Sequence, residues 1–429
     1  MLIGLFVALF VLILLGMPIL LVMGIIGLAG VLLTPGLVPA LFPQKMFAML
    51  DNFSLLALPY FILAGELISA GGISARLVAF AQTVVGHFRA GLGHASVVSS
   101  MVFAGVSGSS VADTSAIGSI LVPAMKSQGY RPGFAAALIA CAGTIGAIIP
   151  PSMTMIVYGS MANVSIGGLF LGGIVPGVLI GVGLMLVIVL YSRAPGYPEL
   201  RVVAGRFDLK AVLRATLAVW PALLAPLLVV GGILSGAFTA TEAGVVACFY
   251  GFFVGFFVYR TLRLADLPKV FIRAAVTTAM VSGIIGIAGA LGWLLSYLNF
   301  NDTVLGAINA VADTRIAALL WLTAIMLVLT MFIDSMAVLI VMIPVAVVIG
   351  RNYGVDEFQL GLLMVMATQI GSTTPPVAVL LFVATGIAGC RYADTIRHCW
   401  AFIAAEVAVL LLVLWLPELA AWIPRVFLG

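Results

Sequence analysis

Apolar stretches long enough to cross a bilayer recur along the whole chain, and no other feature narrows its fold so far. They lie near 2–15, 17–33, 54–71, 131–161, 168–192, 216–235, 240–259, 274–298, 357–384 and 398–423. One spanning helix needs about 20 apolar residues, so about ten transmembrane helices are expected. The first two stretches are short, and only Gly16, Met17 and Pro18 separate them. Of the 429 residues, 64% are hydrophobic and 8% charged. A soluble domain carries roughly a quarter charged residues, and no water-soluble fold of this length hides so much apolar side chain. The fold class is an all-α polytopic membrane protein. A cytosolic enzyme, a secreted domain and a disordered chain are excluded.

Two further apolar stretches, about 92–126 and about 316–350, are broken midway by small or polar residues. Charge gives them a direction. Arg76 and Arg89 precede the first; Lys126 and Arg131 follow it. If that stretch enters the membrane and returns, these four share one face with Arg193, Arg201, Arg206, Lys210, Arg214, Arg260, Arg263, Lys269, Arg273, Arg391 and Arg397. Fifteen of the 19 Lys and Arg then lie on one side, which the positive-inside rule makes cytoplasmic. Lys45, Arg315, Arg351 and Arg425 fall opposite, so the C-terminus is expected on the periplasmic side. The net charge of +4 therefore records topology and not nucleic acid. Residues 73–89 and 302–313 are amphipathic and are expected along the membrane surface. Cys141, Cys248, Cys390 and Cys399 have no metal or disulfide spacing. No small-residue cleavage site follows a charged start, so the first stretch is not expected to be a signal peptide.

The chain also repeats itself. Gly146-Ala-Ile-Ile-Pro150-Pro151 resembles Gly371-Ser-Thr-Thr-Pro375-Pro376, 225 residues on. Asp113 pairs with Asp334, and Pro123 with Pro344, at an offset of 221. Each half reads as span, surface helix, hairpin with a polar tip, span broken at Gly…Pro-Pro, and span. The repeats are 1–205, with a re-entrant hairpin at about 92–126 and a broken helix at about 131–161, and 206–429, with the hairpin at about 316–350 and the broken helix at about 357–384. By the charge pattern the hairpins enter from opposite sides. Inverted repeats of this kind mark secondary transporters, whose binding sites sit between the repeats near the midplane.

The chemistry concentrates at four places. The first tip, Ser107-Gly108-Ser109-Ser110 followed by Asp113, offers hydroxyls, freed carbonyls and a carboxylate. It is either a cation and substrate site or a close helix contact of small residues. The second tip holds Asp334 and Ser335. Both aspartates either ligate an ion or cap the second arm of their hairpin. Paired prolines remove helical hydrogen bonds, so Pro150-Pro151 and Pro375-Pro376 should unwind their helices. That leaves carbonyls together with Thr144, Ser152, Ser372, Thr373 and Thr374 for sodium, and new helix N-termini for an anion; the alternative is a simple kink. Apart from Arg131 at the very start of one, no Lys or Arg falls within an expected span, which favours sodium over an arginine clamp. Thr239-Ala-Thr-Glu242 fits a capping box. Glu406 is either buried or paired. His87, His94 and His398 are expected at the surface or in loops.

Asn52-Phe-Ser-Leu-Leu-Ala-Leu-Pro-Tyr-Phe-Ile-Leu-Ala-Gly-Glu66, the Ser107–Asp113 tip, Gly146-Ala-Ile-Ile-Pro-Pro-Ser152, Phe238-Thr-Ala-Thr-Glu-Ala243 and Gly371-Ser-Thr-Thr-Pro-Pro376 together resemble the large membrane subunit of TRAP (tripartite ATP-independent periplasmic) transporters, the permease of the DctM and SiaM kind. The resemblance runs over essentially the whole chain. It implies an elevator-type transporter of the ion-transporter superfamily in a bacterial inner membrane. It also implies sodium coupling through two or more Na+ sites and no organic cofactor. The implied partners are a separate small four-helix membrane subunit (DctQ-like), a periplasmic substrate-binding protein (DctP-like) and a small carboxylate such as a C4-dicarboxylate or sialic acid. Carried over to this chain, one sodium site takes Ser107, Ser109 or Asp113 with Gly146, and the other takes Asp334 or Ser335 with Gly371 and Thr374. The substrate residues implied are Ser107, Gly108, Ser109, Ser110, Pro150, Pro151, Ser152, Thr373, Thr374, Pro375 and Pro376.

Two other readings stay open. A stand-alone divalent-anion:sodium symporter has similar hairpins. Gly105-Val-Ser107-Gly108 also matches the GxSG of rhomboid proteases, but such a serine needs a histidine base facing it. An Asp113/Asp334 dyad lacks the sequence context of the intramembrane aspartyl proteases. The chain is therefore not expected to be an enzyme.

Overall fold

A computed structural model describes residues 2–201 and 207–428. The expected repeat boundary at 205/206, and Arg206 of the basic loop, lie outside the described residues. Among those described there are twenty α-helices and no strand. The first half runs α1 (Leu2–Leu14), α2 (Ile19–Leu33), α3 (Leu41–Leu50), α4 (Ala57–Ala70), α5 (Ile73–Val85), α6 (Gly91–Ser107), α7 (Ser110–Ser127), α8 (Pro132–Thr144), α9 (Met153–Ala162) and α10 (Ile166–Arg193). The second runs α11 (Leu209–Leu234), α12 (Ala240–Phe253), α13 (Leu267–Tyr297), α14 (Phe300–Asn309), α15 (Arg315–Thr330), α16 (Ser335–Asn352), α17 (Glu357–Gly371), α18 (Val379–Ala388), α19 (Tyr392–Trp415) and α20 (Glu418–Leu428). Among the described residues, seven helical stretches are long and apolar enough to cross a membrane: α10, α11, α16, α19, and the stretches built on α4, α12 and α13.

The helices sort into two packing groups. In one, α4 packs on α12 and α13, α13 on α2 and α3, and α11 on α5 and α12. In the other, α8 packs on α7, α18 and α19, α17 on α15, α16 and α19, and α10 on α6, α19 and α20. Each half of the chain gives its first helices to the first group and its later helices to the second. The groups meet where α5 and α4 pack on α6, and α13 on α16.

Local chemistry sets the element ends. Gly16 takes φ +80°, and the chain reverses there, so α1 and α2 are two helices packed on each other. Both broken stretches fold as helical hairpins, α6 on α7 and α15 on α16. The expected capping box closes the start of α12: Thr239 Oγ1 accepts from Glu242 N at 3.2 Å, and Glu242 Oε2 accepts from Thr239 N at 2.8 Å.

Three expectations need correction. The last span stops at Trp415 and not at 423, because Pro417 disfavours helical backbone at Leu416, and α20 then packs separately on α10 and α17. Helix α3 was not anticipated. Pro43 sits in its first turn, where the missing N–H has no helical partner to lose. His94 and His398 are buried and not at the surface. His94 packs edge-on against Phe88, and His398 against Phe134 and Tyr197, so aromatic contacts replace water around both rings.

Candidate functional site

The first hairpin turns on Gly108, whose φ of +67° is left-handed. A Cβ there would lie 2.7 Å from Pro151 O, so a side chain is excluded by strain and by space. The tip docks on the unwound segment that follows α8: Met153 N donates to Gly108 O at 3.2 Å. The second tip docks in the same manner, with Val377 N donating to Met331 O at 3.2 Å. Each hairpin tip is thus tied by one backbone hydrogen bond to the chain just past a Pro-Pro pair. Both Pro-Pro peptide bonds are cis.

Asp113 lies in the first turn of α7, fully buried. Its Oδ1 accepts from Ser107 Oγ, and its Oδ2 is buried without a hydrogen-bond partner. Oδ2 faces the bare Cα of Gly146, where a Cβ would collide with it. Thr114 Oγ1 beside it is also buried without a partner and lies against Gly143. A buried carboxylate oxygen without a donor is costly, and it fits a hard cation. Ser109 caps α7, accepting from Ala112 N at 3.4 Å. Ser110 Oγ donates to Gln369 Oε1 at 2.5 Å, joining the first tip to α17.

The unwound segments are closed by their own hydroxyls. Ser152 Oγ and Thr154 Oγ1 donate to Ala147 O at 2.5 and 3.2 Å. In the second half, Thr373 and Thr374 donate to Ile370 O at 2.8 and 2.7 Å, and Ser372 to Gln369 O at 2.6 Å. Each such hydroxyl keeps lone pairs for a cation. Gly371 plays the part of Gly146, but the side chain pressed on it is Thr330, from the first arm of its hairpin.

Asp334 differs from Asp113. It is exposed and is the N-cap of α16, accepting from Met336 N at 3.0 Å and Ala337 N at 3.2 Å. Asp334 thus holds on α16 the N-cap position that Ser109 holds on α7, 225 residues earlier, the same offset as the Gly…Pro-Pro motifs, whereas Asp113 lies a turn inside α7. Ser335 follows it, half-buried. Pro150, Pro151, Ser152, Thr373 and Thr374 are buried, whereas Pro375 is half-buried and Pro376 exposed.

The residue the sequence left undecided is Glu406. It is fully buried on α19, between the two unwound segments. Its Oε1 accepts from Thr144 Oγ1 at 2.7 Å and its Oε2 from Thr373 Oγ1 at 3.4 Å. A carboxylate within the apolar stretch 398–423 was the available signal. Gln369 and Thr330 carried no comparable signal.

The sequence matches the family described as tripartite ATP-independent periplasmic transporter, DctM component, over residues 6–419. The C4-dicarboxylate TRAP transporter large permease protein DctM of Pseudomonas aeruginosa is 36% identical over 89% of this chain and 88% of its own length. The sialic acid TRAP transporter large permease protein SiaM of Vibrio cholerae is 32% identical over 96% of both chains. The isethionate TRAP transporter permease protein DctMQ of Oleidesulfovibrio alaskensis is 37% identical over 96% of this chain, which spans only 64% of that protein. Among solved structures, the YdaH transporter of Alcanivorax borkumensis superposes with a TM-score of 0.65 over 92% of this chain and 91% of its own, at 13% identity. At that identity the likeness is one of fold alone.

Proposed function

This chain belongs to the DctM-component family of tripartite ATP-independent periplasmic transporters, and from that premise we propose that it is the large permease subunit of a sodium-coupled importer of a small organic acid. The observation that carries the reading is the partnerless Oδ2 of buried Asp113, held against Gly146 at the foot of a docked hairpin tip. The first sodium site takes Asp113 with Ser107, Ser109 and the backbone near Gly146. The second takes neutral oxygens of Thr374 and the Gly371 turn, with Asp334 or Ser335 from the tip. Among the described residues no three His, Cys, Asp or Glu side chains cluster, and each site offers hydroxyls, carbonyls and at most one carboxylate, a set that suits a hard monovalent ion.

The substrate is a small carboxylate of the kind named for the relatives, a C4-dicarboxylate or sialic acid. It binds between the two Pro-Pro segments and the tips, at Ser107–Ser110, Pro150–Ser152 and Thr373–Pro376. A periplasmic binding protein delivers it, and a separate small membrane subunit completes the complex. The basic loops lie in the cytoplasm of a bacterial cell and the C-terminus in the periplasm, a reading supported by the one-sided distribution of Lys and Arg in the sequence. The second packing group moves against the first as an elevator, a division supported by the way both halves feed both groups. Two sodium ions crossing 100 mV would supply about 4.6 kcal/mol; a monovalent acid carried with them gives back about half of this and a divalent one about all of it, so accumulation of a C4-dicarboxylate draws on the sodium concentration gradient.

No catalytic step is proposed. Ser107 and His94 sit 13 residues apart on one helix, about 20 Å along its axis, and Ser107 is bonded to Asp113. The test is uptake by the reconstituted complex with its binding protein, with and without an inward sodium gradient. Uptake indifferent to that gradient sinks the proposal.

A further inference from the structure

Glu406 has no part in the cation sites described above, yet it reaches both repeats. Thr144 is the last residue of α8, two before Gly146. Thr373 lies two residues beyond Gly371, where α17 ends. The two threonines come from opposite halves of the chain, and each stands at the edge of an unwound segment. One buried side chain from a third helix holds them both. Among the described residues, no Lys, Arg or His forms an ion pair with Glu406; the ion pairs lie at Arg131, Arg391 and Arg425. An ionisable group so deep in the protein is costly unless its hydrogen bonds are satisfied.

Each hydroxyl also has a choice. Thr144 Oγ1 lies 2.7 Å from both Cys141 O and Glu406 Oε1. Thr373 Oγ1 lies 2.8 Å from Ile370 O and 3.4 Å from Glu406 Oε2. One hydrogen serves two acceptors in each case.

We propose that Glu406 is a positioning residue that joins the two unwound segments, so that a cation bound at one favours the arrangement that binds a cation at the other. This inference rests on the sodium-coupled reading above only for the identity of the ion. The physical requirement is a coupling free energy between two sites, carried here by two hydrogen bonds to one side chain.

The test uses the membrane complex with its small subunit, in two measurements. The first is the sodium dependence of uptake in Glu406→Gln, Glu406→Ala, Thr144→Val and Thr373→Val. Glutamine keeps the bridge, because its carbonyl accepts from Thr144 and its amide donates to Thr373; valine keeps each threonine's volume. The expected result is that Glu406→Ala and both valine variants raise half-saturating sodium about tenfold and bring the Hill coefficient toward one, while Glu406→Gln retains the steep response. Equal failure of Glu406→Gln and Glu406→Ala, with normal valine variants, would overturn the proposal and make the charge itself the ion's ligand.

The second measurement is amide hydrogen exchange, which needs no ion. Thr373→Val should raise exchange several-fold at residues 145–149, in the opposite repeat, and Glu406→Ala should do the same. Exchange altered only around 370–374 overturns the bridge. If exchange responds at 145–149 while wild-type uptake ignores sodium, the bridge stands and the sodium reading falls.

Discussion

The carboxylate of Asp113 lies against the bare Cα of Gly146, with Oδ2 in the space that a Cβ would fill. An acidic side chain from a hairpin and a glycine from an unwound helix are thus shaped to each other. Gly146→Ala must move the Asp113 side chain, and overpacking of this kind costs about 1–3 kcal/mol. The expected outcome is a lower melting temperature and weaker sodium activation of uptake. An alanine variant with unchanged sodium activation would show that the contact is packing alone.

Asp113→Asn keeps the side-chain volume and the bond to Ser107 while removing the charge. Sodium activation should fall more than docking of the binding protein, because the change is confined to one tip. Both quantities are measurable on the same proteoliposomes. Loss of both in equal proportion would mean a folding defect.

Asp334 caps α16 with two accepted bonds. Asp334→Ala should cost about 1 kcal/mol, while Asp334→Asn, a comparable cap, should cost little. Thermal unfolding separates the two. If asparagine preserves stability but abolishes sodium activation, the carboxylate ligates an ion in addition to capping the helix.

Gln359 is fully buried and makes three side-chain bonds. Its Oε1 accepts from Arg315 Nη2 at 2.6 Å, and its Nε2 donates to Val413 O and Leu414 O at 2.9 and 3.0 Å. These two carbonyls end α19 and have no helical donor. Gln359→Leu fits the volume but strands all three groups, at about 1–3 kcal/mol for each buried group left unpaired. A marked fall in melting temperature with little change in half-saturating sodium is expected, because the node lies away from both tips.

The hairpins and the breaks were legible because their causes are local. A tip of Gly and Ser cannot continue a helix, and a proline pair lacks two N–H donors wherever the chain goes. The docking of each tip past its Pro-Pro pair was not legible, although the pairing of motifs hinted at it. The Asp113–Asp334 correspondence misled for a physical reason: two aspartates near helix starts look alike in sequence, but one is an N-cap and the other lies a turn inside.

What the sequence determined by itself was the membrane class and the places where helices must break, since each follows from composition or from covalent backbone chemistry. Tertiary structure alone decided which polar groups meet. Glu406 finds Thr144 across 262 positions and Ser110 finds Gln369 across 259, and no local pattern encodes such distances. His94 and His398 turned inward for the same reason: what surrounds a side chain is set by helices packed from elsewhere in the chain, and burial follows from that packing.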